Sequence, residues 1–252
     1  MAILVLVRHG KTEWSSQNRF AGWADAPLSA TGMQEARLAG QSLAAAGLRF
    51  DLCCTSYLSR AAKTLEILLE ELGQGDVAVE RSWRLNERHY GALQGFNRAK
   101  MALRYGNDKV AAWRRSFTAE PPALPDDDPR LPALDPLYAG IDPALLPRSE
   151  SLEQAAARVA PWWREFLAPR LSQGRNVLVV AHTSSIRGLV REIEGLSGEE
   201  AAEFRIATAL PVIYTLDAEL KVTDKQELTA GWSSRLRKFL NKHKPGTRIS
   251  WI

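Results

Sequence analysis

The chain predicts an α/β fold: parallel strands alternating with helices, forming a single domain with a Pro-rich lid insertion. Three observations predict it. An apolar run, Ile3-Leu4-Val5-Leu6-Val7, opens the chain and stops on Arg8-His9-Gly10. A second, Asn176-Val177-Leu178-Val179-Val180-Ala181, stops on His182 and the small residues Thr183, Ser184 and Ser185. Uninterrupted Val/Ile/Leu runs read as strands buried on both faces, as in parallel sheets, and segments of helical periodicity fill the spans between them. Each run therefore delivers a histidine to the carboxyl edge of the sheet, where open α/β folds bind ligands.

The elements follow in order. Thr31 to Ala46 reads as an amphipathic helix closed by Gly47, and Phe50-Asp51-Leu52-Cys53-Cys54 as the next strand. A helix from about Ser59 to Leu72 and a strand over Val77–Glu80 complete a βαβαβ layout. Helical segments around 97–117 give way to Thr118–Pro147, which holds eight of the thirteen prolines and the triplet Asp126-Asp127-Asp128. So Pro-rich a stretch cannot be a central strand or a long helix, and loops of this length are lids or disordered segments. The acidic triplet lacks other metal-ligand types nearby and reads as a solvated turn. From Ser151, with Gln154 completing a capping box, a long helix carries Trp162, Trp163, Phe166 and Leu167 on its inner face. The strand at 176–181, a helix from Ser184 to Glu194 and a final strand, Val212-Ile213-Tyr214-Thr215-Leu216, complete the sheet.

A chain of 252 residues that is 45% hydrophobic can bury the core of one sizeable α/β domain, expected over 1–227 with the lid at about 118–147. No apolar run approaches the roughly 20 residues a membrane helix needs, and Met1-Ala2 leads straight into a strand, so a cytoplasmic protein is expected. Cys53 and Cys54 are the only cysteines; adjacent in a strand, they point to opposite faces and suit a reducing compartment. The net charge of +4 is uneven: residues 228–252 carry Arg235, Arg237, Lys238, Lys242, Lys244 and Arg248 with no acid, leaving the body slightly acidic. This basic C-terminal tail reads as a solvated last helix with a loose end, against the alternative of an anchor for nucleic acid, anionic lipid or another subunit, and neither nucleic acid nor a membrane is an expected partner.

The chemistry lies at the strand ends. A neutral imidazole can attack phosphorus, and fixed cations around the phosphate oxygens lower that barrier most. Arg8 supplies a planar, always-charged fork for phosphate, and Gly10 lets the following backbone approach a ligand closely. Thr55-Ser56-Tyr57-Leu58-Ser59-Arg60 puts a second arginine just past another strand end, and His182 can donate to the same oxygens. Asn86-Glu87-Arg88-His89-Tyr90-Gly91 offers Glu87 as general acid and base, against the alternative of a surface salt bridge to Arg88 or Arg84; His89 reads as structural. Trp113-Arg114-Arg115 adds a cationic pair suited to a carboxylate or a second phosphate, or else a solvated helix face.

Leu6-Val7-Arg8-His9-Gly10, Asn18-Arg19-Phe20-Ala21-Gly22-Trp23, Thr55-Ser56 with Arg60, the block from Leu85 to Gly95, Trp113-Arg114-Arg115 and Ala181-His182 together resemble the cofactor-dependent phosphoglycerate mutases of the histidine phosphatase superfamily. The resemblance runs in order from residue 2 to about 217, and the block at 85–95 is its most specific part. It implies a mostly parallel mixed sheet sandwiched by helices, His9 as the phosphohistidine, Arg8, Arg60 and His182 as the phosphate cradle, and Glu87 as proton donor and acceptor. It implies substrate contacts from Gly10, Ser15, Ala21, Gly22, Arg88, Tyr90, Arg98, Arg114, Arg115, Thr183 and Ser184. The implied activity interconverts 3- and 2-phosphoglycerate, in glycolysis and gluconeogenesis, with 2,3-bisphosphoglycerate as priming phosphoryl donor, no metal, and a homo-oligomeric (dimeric or tetrameric) enzyme.

The departures from the family pattern fall in the substrate shell. Ser15 stands where Asn is usual, Ala21 where Thr is usual, Arg98 at the pocket lysine, and Thr183-Ser184 in place of Gly-Asn. A broad histidine-type phosphatase is therefore the alternative enzyme, and a phospho-ligand-binding protein without turnover the alternative outside enzymes.

Overall fold

The computed structural model describes residues 1–228. The elements in chain order are β1 (Ala2–Arg8), α1 (Glu13–Ser16), α2 (Ala30–Ala45), β2 (Leu52–Thr55), α3 (Ser59–Leu72), β3 (Val79–Arg81), α4 (Arg98–Tyr105), α5 (Asn107–Arg115), α6 (Leu152–Trp162), α7 (Ala168–Ser172), β4 (Val177–Ala181), α8 (Thr183–Glu194), α9 (Gly198–Glu203), β5 (Val212–Leu216) and β6 (Val222–Glu227). They build one mixed six-stranded sheet in the order β3-β2-β4-β1-β5-β6. β3, β2, β4 and β1 are mutually parallel, and β5 and β6 are antiparallel to their neighbours.

Both faces of the sheet are covered, which is why β1 and β4 are apolar without alternation. On one face Val5, Val7, Cys53, Leu178 and Val180 pack against Leu43 of α2 and Leu65, Leu68 and Leu69 of α3. On the other, Leu4, Leu6, Cys54, Val177 and Val179 pack against Val159 and Trp162 of α6 and Ile186, Leu189 and Val190 of α8. The adjacent cysteines thus serve opposite cores as free thiols, and burial pushes Cys53 up to about 12 and Cys54 further, so neither is a nucleophile.

Local signals fix the helix ends. Ser29 caps α2, Gly73 closes α3 in the left-handed conformation, and Ser151 with Gln154 forms the expected capping box on α6. The expected long helix after Ser151 is instead interrupted: Pro161 has no N–H to give, and a wide π turn over Trp163–Leu167 separates α6 from α7. The strand expected to be last is not the last, since β6 adds an antiparallel edge beyond β5.

The Pro-rich segment is corrected as a lid. It contains three short helical turns, Pro132–Leu134, Pro136–Tyr138 and Pro143–Leu145, each opened by its proline. Tyr138 is buried, stacked on Trp23 at 5.0 Å between ring centroids, and its hydroxyl accepts from Asn86 Nδ2 at 2.9 Å. The segment braces the 86–91 loop rather than covering the sheet edge. Its acids are paired locally, Asp126 with Arg148 and Asp128 with Arg130. β6 reaches Glu227, the last residue of the expected domain, and the basic tail lies outside the described residues apart from Leu228, which packs into the α2/α3 core.

Candidate active site

Register puts the two histidines together. In the parallel ladder Arg8 pairs with Ala181, and His9 N donates to Ala181 O at 3.0 Å, so the next side chains, His9 and His182, emerge side by side. Their ring centroids are 4.9 Å apart. Thr55 of β2 pairs with Val180, which places Ser56 beside His182: Ser56 Oγ lies 2.8 Å from His182 Nε2, while His182 Nδ1 has no partner among the described residues.

The tautomer of His9 follows from a single bond. His9 Nδ1 lies 2.7 Å from Gly10 O, and a carbonyl oxygen can only accept, so Nδ1 carries the proton and the Nε2 lone pair is left for chemistry. Burial, then the charges of Arg60 and Arg8, hold the His9 pKa well below that of a free histidine. Burial and the same arginines do the same to His182. His9 is thus a neutral base in a cationic surround.

That surround is a cavity of about 300 Å³ lined, among the described residues, by eight arginines, Arg8, Arg19, Arg60, Arg88, Arg98, Arg114, Arg115 and Arg187, and one acid, Glu87. Thr12, Ser15, Ala21, Gly22, Tyr90, Thr183 and Ser184 complete the wall with His9. Arg60, 1% exposed at the start of α3, donates to Gly22 O at 2.6 Å and Ala24 O at 3.0 Å, and burial brings its pKa down to about 10. Arg88 donates to Tyr90 Oη at 3.0 Å and Arg114 O at 3.1 Å; its Nε and Nη1, with Nε of Arg8 and Arg98, are buried without partners among the described residues. With the other guanidinium groups of the lining they make a cationic wall suited to an anion. The cover over the sheet edge comes from α4 and α5, which carry Arg98, Arg114 and Arg115, rather than from the Pro-rich segment.

Glu87 is not a surface ion pair. Its Oε1 accepts from Arg88 N at 2.8 Å and from Ser184 N at 3.1 Å, in the first turn of α8. Burial would raise its pKa, but the hydrogen bonds from Ser184 and Arg88 and the charges of Arg88 and Arg60 outweigh that, and the net shift is downward. His89 is fully buried outside the cavity, where Nδ1 accepts from Gly91 N at 3.0 Å.

Two expectations change. Gly10 does not line the cavity: a Cβ built there would stand 2.3 Å from Gly32 O, so the glycine is required where the end of β1 crosses the start of α2. Ser15 lines the cavity, but its hydroxyl caps α1, donating to Thr12 O at 2.6 Å and accepting from Thr12 N at 3.1 Å. Three lining residues were not singled out from the sequence: Thr12, Arg19 and Arg187. Arg187 carries a readable signal, because it stands four residues after Thr183 and shares its face of α8.

A sheet of this order with paired histidines and arginines at its carboxyl edge defines a class, and the chain belongs to the histidine phosphatase superfamily (branch 1), whose family model matches residues 4–128 and 136–227. Within that class, the chain is 49% identical over 221 residues to the 2,3-bisphosphoglycerate-dependent phosphoglycerate mutase of Nitratidesulfovibrio vulgaris (strain DSM 19637 / Miyazaki F), covering 88% of this chain and 89% of the relative. It is 46% identical over 228 residues to the 2,3-bisphosphoglycerate-dependent phosphoglycerate mutase 2 of Lactiplantibacillus plantarum, covering 90% of this chain and 99% of that one. Among solved structures, Bacillus stearothermophilus YhfR superposes with a TM-score of 0.67 at 20% identity, over 88% of this chain and 94% of that one. A mycobacterial glucosyl-3-phosphoglycerate phosphatase superposes with a TM-score of 0.67 at 24% identity, over 90% and 98%. These structures share the fold.

Proposed function

We propose that the protein is a phosphoglycerate mutase that interconverts 3- and 2-phosphoglycerate through a phosphohistidine at His9. The single observation that carries this is the neutral His9, with Nδ1 tied to Gly10 O and Nε2 free beside Arg8 and Arg60. The names of the two relatives at 46–49% identity support the substrate. The unpartnered guanidinium nitrogens of Arg8, Arg88 and Arg98 fit a ligand carrying two phosphates and a carboxylate. When bound, 2,3-bisphosphoglycerate supplies the phosphoryl group that charges His9.

Arg8, Arg60 and His182 would hold the transferring phosphoryl group, and Arg88, Arg98, Arg114, Arg115 and Tyr90 the rest of the ligand. Fixed cations are already oriented, so they stabilise the transition state without reorganisation, and the reading requires no metal. Glu87 rests as a carboxylate, which suits the half-reaction that begins on the charged enzyme. It takes the proton of the bound monophosphate's hydroxyl, whose oxygen attacks phosphorus as the Nε2–P bond breaks. In the return half, Glu87 gives that proton to the departing oxygen as the other P–O bond breaks and Nε2–P forms.

The reading keeps a small phosphorylated ligand as partner and a cytoplasmic location; no helix among the described residues is long and apolar enough to cross a membrane. The test is one assay on 3-phosphoglycerate, with and without added 2,3-bisphosphoglycerate, following isomerisation and free phosphate together. Isomerisation in excess of phosphate release, lost with the acid-labile phosphoryl label in His9→Ala, is expected. Phosphate release alone would replace this reading with a phosphatase, and a fully labelled His9→Ala would remove the mechanism.

A further inference from the structure

We propose that the buried ion pair Arg158–Glu150, remote in sequence from every cavity residue, is the positioning device that aims and tunes the carboxylate of Glu87. Arg158, on α6, is 7% exposed and directs both Nη groups into the segment 83–87. Its Nη1 donates to Trp83 O at 3.2 Å and Arg84 O at 2.6 Å, and its Nη2 to Asn86 O and Glu87 O, both at 3.2 Å. Its Nε and Nη2 also meet Glu150 at 2.6 and 3.0 Å. Glu150 in turn accepts from His89 N at 2.9 Å through Oε2, and its own N donates to His89 O at 2.8 Å. The pair thus grips the chain on both sides of Glu87 and Arg88.

The link to chemistry is the Glu87–Arg88 peptide. A peptide unit is planar, so the direction of Glu87 C=O fixes the direction of Arg88 N–H. That carbonyl is pinned by Arg158 Nη2 and by Trp23 Nε1, the latter at 2.5 Å. The N–H on the other end of the same plane donates to Glu87 Oε1 at 2.8 Å. Arg158 therefore acts on the carboxylate through one rigid unit, setting both where it points and one of the two donors that hold its proton affinity down. A lysine cannot reproduce this, because its ammonium is a point donor without the planar fork that spans four carbonyls and a carboxylate. Five buried acceptors facing one guanidinium also exclude an incidental ion pair, whose desolvation is seldom repaid.

This inference rests on the proposed role of Glu87 as proton donor and acceptor. It predicts a loss confined to steps that need a proton. In Arg158→Lys, kcat on 3-phosphoglycerate should fall by ~10- to 100-fold, part of the 10²–10⁴ that general acid–base catalysis supplies, with KM nearly unchanged. The rate at which His9 acquires phosphate from para-nitrophenyl phosphate in a single turnover should stay close to wild type, since a phenolate leaves without a proton. The acid limb of the phosphoglycerate profile should move to higher pH, as a carboxylate that loses the Arg88 N–H binds its proton more tightly. Glu150→Gln, which keeps an acceptor for Arg158 and removes the charge, should show the same pattern more weakly and serves if Arg158→Lys does not fold. Equal losses on both substrates in a folded variant, or no loss on either, would overturn the inference. If the wild-type enzyme hydrolyses phosphoglycerate without isomerising it, the same comparison on hydrolysis still decides the matter, so the two readings fail separately.

Discussion

Gly10→Ala probes how the backbone crossing just after His9 governs the placement of that imidazole. The added Cβ would sit 2.3 Å from Gly32 O, where ordinary contact begins at 3.4 Å. The shortfall of about 1 Å cannot be met by a side chain, because the opposing atoms are Gly32 backbone, and Gly32 itself lies against Lys11 O in the reciprocal direction. The strand end must move, and Gly10 O, the acceptor for His9 Nδ1, moves with it. A displacement of ~1 Å at reacting groups costs on the order of 100-fold, while overpacking of this kind costs ~1–3 kcal/mol of stability. For a domain of this size that lowers Tm by roughly 2–12 °C. The assay pairs kcat on 3-phosphoglycerate with the rate of phosphohistidine formation, and thermal unfolding on the same preparations. Gly73→Ala is the control: Gly73 closes α3 at φ +61° with nothing within 4 Å, so it should lose ~1–2 kcal/mol of stability and no kcat. A Gly10→Ala protein with wild-type kcat, or a Gly73→Ala protein that loses as much, would refute the reasoning.

Arg187→Gln should raise KM for 3-phosphoglycerate by ~10- to 100-fold with little change in kcat, the worth of one charged hydrogen bond; an unchanged KM would mean its guanidinium serves only Phe204 O, 3.0 Å away. His89 is held to a pKa of about 3 by burial and then by the charges of Arg158 and Arg130, so it is neutral in the folded protein. Its contribution to stability is complete above pH 6.5 and is lost as pH falls from there toward 3, at roughly 1.4 kcal/mol per unit. Urea unfolding at stepped pH should show that slope flattened in His89→Gln, and an undiminished slope would assign it to His9 and His182 instead.

The paired histidines were legible because a strand buried on both faces must be apolar throughout, so the residue that breaks the run marks the sheet edge. Arg60 and Glu87 were legible by the same rule and by the 85–95 block. β6 was not, since Val222–Glu227 alternates half-buried with exposed polar residues on an edge that buries little. Nor was the lid misreading avoidable, because proline content excludes regular structure without saying which surface a segment covers. By itself, then, the sequence determined the strands other than β6, the main helices between them and the two histidines at strand ends, all properties of local pattern. Only the tertiary structure decided that β4 inserts between β1 and β2, that Arg8 pairs with Ala181 so the histidines touch, that α4 and α5 rather than the Pro-rich segment cover the pocket, and that Arg158 reaches the Glu87 peptide. Those facts depend on strand register and on contacts between residues about seventy or more apart, which no local pattern encodes.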